Sequence, residues 1–198
     1  MPKIFHLFWA ISLLTLSLWV IGCAGESVYV PPDSVTQFDD SYSDTDLRIM
    51  AEQMTRSLIT TPKIANSTKP LVVAILDIQN KTSQHINTED ITDKLMMAML
   101  KTGRMRFVDR TLLKSMAKEI SLSSTGLVDP AQQKQLGKMA AADILMSGEI
   151  TSINKANARA SMTYYRLSLH LTDLETNEII WADETEIKKS AKKGFADW

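Results

Sequence analysis

The chain has 198 residues, 44% hydrophobic and 23% charged, with 22 Lys and Arg against 23 Asp and Glu for a net charge of −1. That composition fits one ordinary globular domain plus a short appendage, and the near-neutral balance makes no strong electrostatic case for nucleic acid, whose phosphates require a basic face. A single cysteine excludes an internal disulfide and a cysteine-rich metal site, and the three histidines, His6, His85 and His170, have no ligand spacing.

The first element is a leader over residues 1–22. Lys3 and the terminal amine precede a run from Leu7 to Ile21 that is apolar apart from Ser12, Thr15 and Ser17. Fifteen residues are short for a spanning helix, which needs about 20, and fit the apolar region of a secretory signal. The run ends Val20-Ile21-Gly22-Cys23, which resembles the lipobox of bacterial lipoproteins. That resemblance implies cleavage between Gly22 and Cys23 and acylation of the Cys23 thiol. An ordinary signal or membrane anchor with an incidental cysteine is the alternative. Ala24 follows in place of an inner-membrane-retaining aspartate, so the outer membrane is favoured. Several acyl chains would anchor firmly, at about 0.8 kcal/mol per buried CH₂. Acylation would also remove Cys23 as a nucleophile.

Residues 23–44 then form a lipidated cysteine and a polar tether with Pro31-Pro32 and no apolar period. Tyr29, Phe38 and Tyr42 in it are either binding anchors or loose packing on the domain. The globular α/β domain is expected over 45–198. Leu47, Met50, Met54 and Leu58 are spaced as one face of a helix, capped by Ser43 or Thr45 with Asp46 in its first turn. Pro62 and Asn66 break the pattern. Leu71 to Leu76 is continuously apolar, a central strand covered on both faces. Asn80-Lys81-Thr82 follows in a loop. Thr88 opens a helix whose buried stripe is Ile91, Leu95, Met99, Met96 and Leu100, ended by Gly103.

Met105–Arg110 is a short strand, and Thr111 starts a helix. Residues 121–129 form a loop, and Asp129-Pro130 cap and open another helix. Asp143–Ile153 is a strand. In Met162–Asp173, Tyr165, Leu167, Leu169 and Leu171 alternate with Arg166, Ser168, His170 and Thr172. Asn177 suits a left-handed turn position. Ile179 and Trp181 share one face of a last strand ending near Ile187, and the basic tail from Lys188 frays. The order α-β-α-β-α-α-β-β-β predicts an α/β fold with a single mixed β-sheet packed with helices and right-handed early crossovers.

No reaction centre emerges. There is no Gly-x-Ser-x-Gly, no glycine cluster for phosphate and no triad motif. His170 is expected to be solvated or bonded across strands rather than a base, and His85 a surface residue. Asp77 is a candidate cation ligand, with capping or loop bonding the stronger alternative. Asp39-Asp40 and Glu89-Asp90 are explained by tether solvation and the helix dipole. The run Lys188–Lys193 suits anionic lipid, an acidic partner or plain solubility. The methionines, Met96, Met97, Met99, Met116, Met139 and Met146, are core filler. Catalytic residues, cofactor and metal are therefore all expected to be none.

Four blocks, KPLVVAILDIQNKTSQHI, KTGRMRFVDRTLLKSMAKE, AAADILMSGEI and YRLSLHLTDLETNEIIWADE, together with the lipobox, resemble the penicillin-binding protein activator family LpoB over roughly residues 45–187. Within them stand a strand followed by Asn80-x-Thr82, and Ala142-Asp143 five residues before Gly148. The resemblance implies a fold related to the N-terminal domain of TolB and the curli-secretion lipoprotein CsgG. It also implies an outer-membrane lipoprotein facing the periplasm. Such a protein binds a bifunctional penicillin-binding protein and activates it allosterically in peptidoglycan synthesis, without a cofactor. The alternative is a CsgG-like secretion or envelope-assembly lipoprotein without enzymatic activity. The tether here is shorter than the long Pro-rich tethers of the best-known members. The resemblance assigns no partner-binding residue and no oligomeric state.

Overall fold

A computed structural model describes residues 27–35, 39–119 and 138–192, without the side chains of 117–119. The chain divides into two compact units, Met1–Ser34 and Val35–Trp198; all the elements below lie in the second. In chain order they are α1 (Asp44–Ile59), α2 (Pro62–Ala65), β1 (Leu71–Ile75), β2 (Gln79–Lys81), α3 (Thr88–Leu100), β3 (Met105–Phe107), α4 (Arg110–Glu119), β4 (Ile144–Ala156), β5 (Ala160–Asp173) and β6 (Ile179–Lys192). None of the described helices is long and apolar enough to cross a membrane.

One mixed sheet runs β3-β1-β4-β5-β6, parallel on its first side and antiparallel on its second. β2 also pairs with β4, in parallel from Gln79 opposite Glu149. β1 and β2 are thus two pieces of one partner strand, interrupted at 76–78. The expected mixed sheet packed with helices is what the structure shows.

The helices begin where their caps lie. Ser43 and Asp46 form a reciprocal capping box on α1, the Asp46 N–H to Ser43 Oγ at 3.4 Å and the Ser43 N–H to Asp46 Oδ2 at 2.9 Å. α3 opens at Thr88 as expected, and Asn87 caps it by accepting from Glu89 N–H. Asp109 accepts the Thr111 and Leu112 N–H groups at the start of α4. Gly103 has φ +69° just past α3, the left-handed position that glycine adopts without a Cβ penalty.

The larger core lies where α1 and α3 meet one sheet face. It holds Met50, Met54, Leu58, Ile91, Leu95, Met99, Met146, Tyr165, Leu167 and Leu169. A smaller core on the opposite face joins Ala74, Leu145, Leu113 of α4 and Leu174. Adjacent residues of β1 and β4 therefore serve different cores. Beyond them, the second face of β4, β5 and β6 carries Ser147, Glu149, Ser168, His170, Glu184 and Glu186, none of them buried. Gly148 lies under the β5 backbone: a Cβ there would stand 2.2 Å from Ser168 O.

Several expectations need correction. α2 was missed because four residues carry no period; Pro62 starts it, and only Ile64 is buried. β2 was missed because Gln-Asn-Lys has no apolar face and exists only through β4. Leu100 leaves the stripe of α3 and is 39% exposed. Ile179 does not share the inward face with Trp181. A register shift at Leu171/Thr172 puts Ile180 against the core and leaves Ile179 63% exposed. The tail does not fray at Lys188, since β6 continues to Lys192. The loop at 121–129 and the helix expected from Pro130 lie outside the described residues, except for helical Lys138-Met139.

Candidate functional site

Just upstream of α1, Asp40 to Ser43 are tied to the far side of the sheet. Thr163 Oγ1 donates to Asp40 Oδ2 at 2.9 Å. The Tyr165 hydroxyl lies 3.1 Å from Asp40 O and 2.8 Å from Gln84 Oε1. Lys189, inward-facing on β6 and 7% exposed, donates to Ser41 O and, at 2.9 Å, to Asp46 Oδ2. The Tyr42 ring meets Tyr165 edge-on at 5.7 Å between centroids. Burial pushes the Tyr42 phenol well above its ordinary range, with Asp46 and Asp90 adding to it. Tyr42 is thus a packed residue rather than a free anchor. Tyr29 is fully exposed, and Phe38 lies outside the described residues.

The Asn80-x-Thr82 block supports this arrangement from below. Asn80 Oδ1 accepts the Thr82 N–H and hydroxyl at 2.9 and 2.7 Å, and Asn80 Nδ2 donates to Gln84 O and Ile86 O. That closed turn presents Gln84 Oε1 to Tyr165 and to the Tyr42 N–H. Asp143 does similar work at the other end of the sheet. Its N–H donates to Val72 O and its Oδ2 accepts the Val72 N–H, both at 2.8 Å. Asn80 thus closes the turn after β2, and Asp143 ties the start of β4 to β1.

The titratable candidates resolve into structural pairs. Asp77 does receive a cation, but it is the guanidinium of Arg110, at 3.2 Å. Arg110 also binds Asp93 at 2.8 Å and Glu89 at 3.5 Å, and Lys114 binds Glu89 at 2.7 Å. Burial opposes the Arg110 charge, but its hydrogen bonds to Asp93 and Asp77 outweigh that and raise its pKa. Lys114 holds the Glu89 carboxyl below its ordinary value. His170 Nε2 lies 2.8 Å from Ser147 Oγ, directly across the β4–β5 ladder, the cross-strand role expected. No described carboxylate bonds this pair, and Ser147 sits mid-strand rather than on a strained turn. His85 is exposed. Among the described residues no group of three or more His, Cys, Asp or Glu could hold a metal ion. Gly22 and Cys23 lie outside the described residues.

What remains is surface. Met97 and Leu100 of α3, Leu112 of α4 and Met139 are exposed apolar side chains, so Met97 and Met139 are not core filler. Ile153 is exposed near the end of β4. β4, β5 and β6 have 13, 14 and 14 residues, where only Met162–Asp173 was expected to approach the ~9–11 of a membrane-spanning strand. Their outer face carries Glu149, Arg166, Glu184 and Glu186, whereas a lipid-facing strand surface is apolar.

Known structures share this architecture. The C-terminal domain of LpoB from Salmonella enterica aligns with a TM-score of 0.58 at 17% identity, covering 72% of this chain and 98% of that one. The same domain from Escherichia coli aligns at 0.55 and 18%, with the same coverage. Lipoprotein GNA1162 from Neisseria meningitidis aligns at 0.51 and 12%, covering 62% of this chain and 85% of the other. At such identities the likeness shows the fold. No curated protein sequence matches the chain. The family model described as "Peptidoglycan-synthase activator LpoB" matches residues 46–187, from the capping box of α1 to the middle of β6, and the chain belongs to that family.

Proposed function

We propose that the protein is an outer-membrane lipoprotein that binds and allosterically activates a bifunctional penicillin-binding protein. The match to the activator family over residues 46–187 carries this reading. In the proposal, cleavage after Gly22 leaves Cys23 as the acylated N-terminus, and the domain faces the periplasm. Activation requires only that the domain bind one state of the synthase better than another, which shifts its population. It needs no cofactor. The resolved pairs around Asp77, Arg110 and His170 suit a scaffold better than a reaction centre.

The docked segment shortens the free tether. Cys23 and Asp40 are 17 residues apart, at most roughly 60 Å of extended chain at 3.3–3.6 Å per residue. The partner must therefore come within that distance of the membrane, plus the length of the domain. Co-purification from chemically cross-linked envelopes tests the proposal. A bifunctional penicillin-binding protein should be captured with the full chain and lost when Cys23→Ser abolishes anchoring. Capture of no synthase would overturn it.

A further inference from the structure

Three strand ends and the docked segment share one end of the sheet. The β4–β5 hairpin turns there, with Ala156 opposite Ser161, and Ala160 lies opposite Lys192 at the close of β6. Asn157 orders the tip: its N–H donates to Ala160 O, and its Oδ1 accepts the Arg159 and Ala160 N–H groups at 2.8 and 2.9 Å. Lys155, Arg159, Lys188 and Lys192 are all exposed at this end. None of the four has an ion pair among the described residues. The ion pairs of the sheet involve Lys63, Arg166 and Lys189.

The carboxylates nearest this end are set back or occupied. Asp39 accepts the Ser41 N–H, and Asp40 is bonded to Thr163, three residues inside Ala160. Glu186 is bonded to Tyr164 and lies opposite Arg166, six residues inside Ala160. That places it about 20 Å from Lys192 at ~3.3 Å per residue, beyond the ~8 Å screening length of physiological salt; of the four cations only Lys188, two residues away on β6, has it within that length. Exposed Ile153 lies beside the cations. Asp40, on the Cys23 side of α1 in the sequence, is held by Thr163 at this same end.

We propose that the hairpin end of the domain is a membrane-contact surface for anionic phospholipid headgroups. Lys155, Arg159, Lys188 and Lys192 supply the attraction. The contact turns the opposite end, with the loop after Asp173 and the C-terminus of α3, away from the anchor. The proposal rests on the lipid-anchor reading, because the anchor brings this end within reach of a bilayer. Each cation contributes about fivefold in surface affinity, the equivalent of roughly 1 kcal/mol per basic residue near an anionic leaflet.

The test uses the full chain with vesicles of phosphatidylcholine, alone or mixed with phosphatidylglycerol. Flotation with the neutral vesicles reports the anchor. Hydrogen exchange of residues 153–162 reports the contact. The expected result is slower exchange on the mixed vesicles, reversed by high salt. The protection should disappear when Lys155, Arg159, Lys188 and Lys192 are all changed to Gln. Circular dichroism confirms that this variant folds. Equal exchange on both vesicles, or protection that survives in the variant, overturns the inference. A chain that fails to float with neutral vesicles refutes the anchor instead. The inference is then read from flotation with mixed vesicles, which must fall at least tenfold in the variant to stand.

Discussion

The two halves of the sheet solve the same packing problem with different sequences. In the parallel half, β1 has a core on each face, so Val73 and Ala74 are both buried although they point opposite ways. The strand has no polar position to spare and reads as an unbroken apolar run. In the antiparallel half, one face of β5 packs against the helices and the other is polar. Tyr165, Leu167, Leu169 and Leu171 are buried, while the residues between them are not. The period of a strand thus records how many faces are covered, independently of how much it buries.

The largest expected effect strikes the antiparallel edge. Asp46→Ala leaves the Lys189 ammonium buried without its partner and also removes the α1 capping box. A loss of about 3–5 kcal/mol is expected in denaturant unfolding. The double variant Asp46→Ala with Lys189→Met should lose less than the single one, because no uncompensated charge remains. A larger loss in the double variant would show that the pair is not the source.

Next comes the direct contrast between the halves. Leu145→Ala and Met146→Ala alter adjacent residues of β4, one in each core, and each should cost roughly 2–5 kcal/mol. On β5, Leu169→Ala should cost the same, while neighbouring Ser168→Ala stays within about 0.5 kcal/mol. Equal losses at 168 and 169 would mean that the second face of β5 is also packed. Gly148→Ala is expected to cost roughly 1–3 kcal/mol, since its Cβ would meet Ser168 O and the Leu169 side chain at 2.2 and 2.6 Å.

The smallest effect is a pH dependence at the turn between β5 and β6. Burial raises the Asp173 pKa, but the hydrogen bond from Lys63 and the N–H groups of Glu175 and Thr176 outweigh it, so the carboxyl titrates below its ordinary value. A depressed native pKa contributes stability above the unfolded value of about 3.9 and loses it as pH falls through the native one. Acid unfolding curves between pH 5 and 2, a window set by roughly those values, should be less steep for Asp173→Asn than for the parent.

Much of this fold was legible in local pattern. The α1 stripe, the β1 run, the β5 alternation, Gly103 and the left-handed Asn177 at φ 63° all announce themselves over a few residues. What was illegible depends on distant partners. Lys188 to Lys192 look like a solubilising tail until Lys189 is seen to face Asp46, which lies 143 positions earlier. β2 has no apolar side chain and is a strand only because β4 passes beside it. Ile179 and Ile180 exchange places because of one irregularity in the ladder. Gln84 carries no sequence signal as a hub, although Tyr42 and Tyr165 both bond to it. The expected role of Cys23 rests on its sequence neighbours alone and lies outside the described residues, and the hairpin cations came together only through the strand register.

The central claim is activation of a cell-wall synthase, and its most direct measurement is the initial rate of glycan polymerisation. A purified bifunctional penicillin-binding protein from the same cell is given lipid-linked precursor with and without the full chain. The account predicts a rate that rises with added protein and saturates, and no product when the synthase is omitted. A rate unchanged at saturating protein would contradict it.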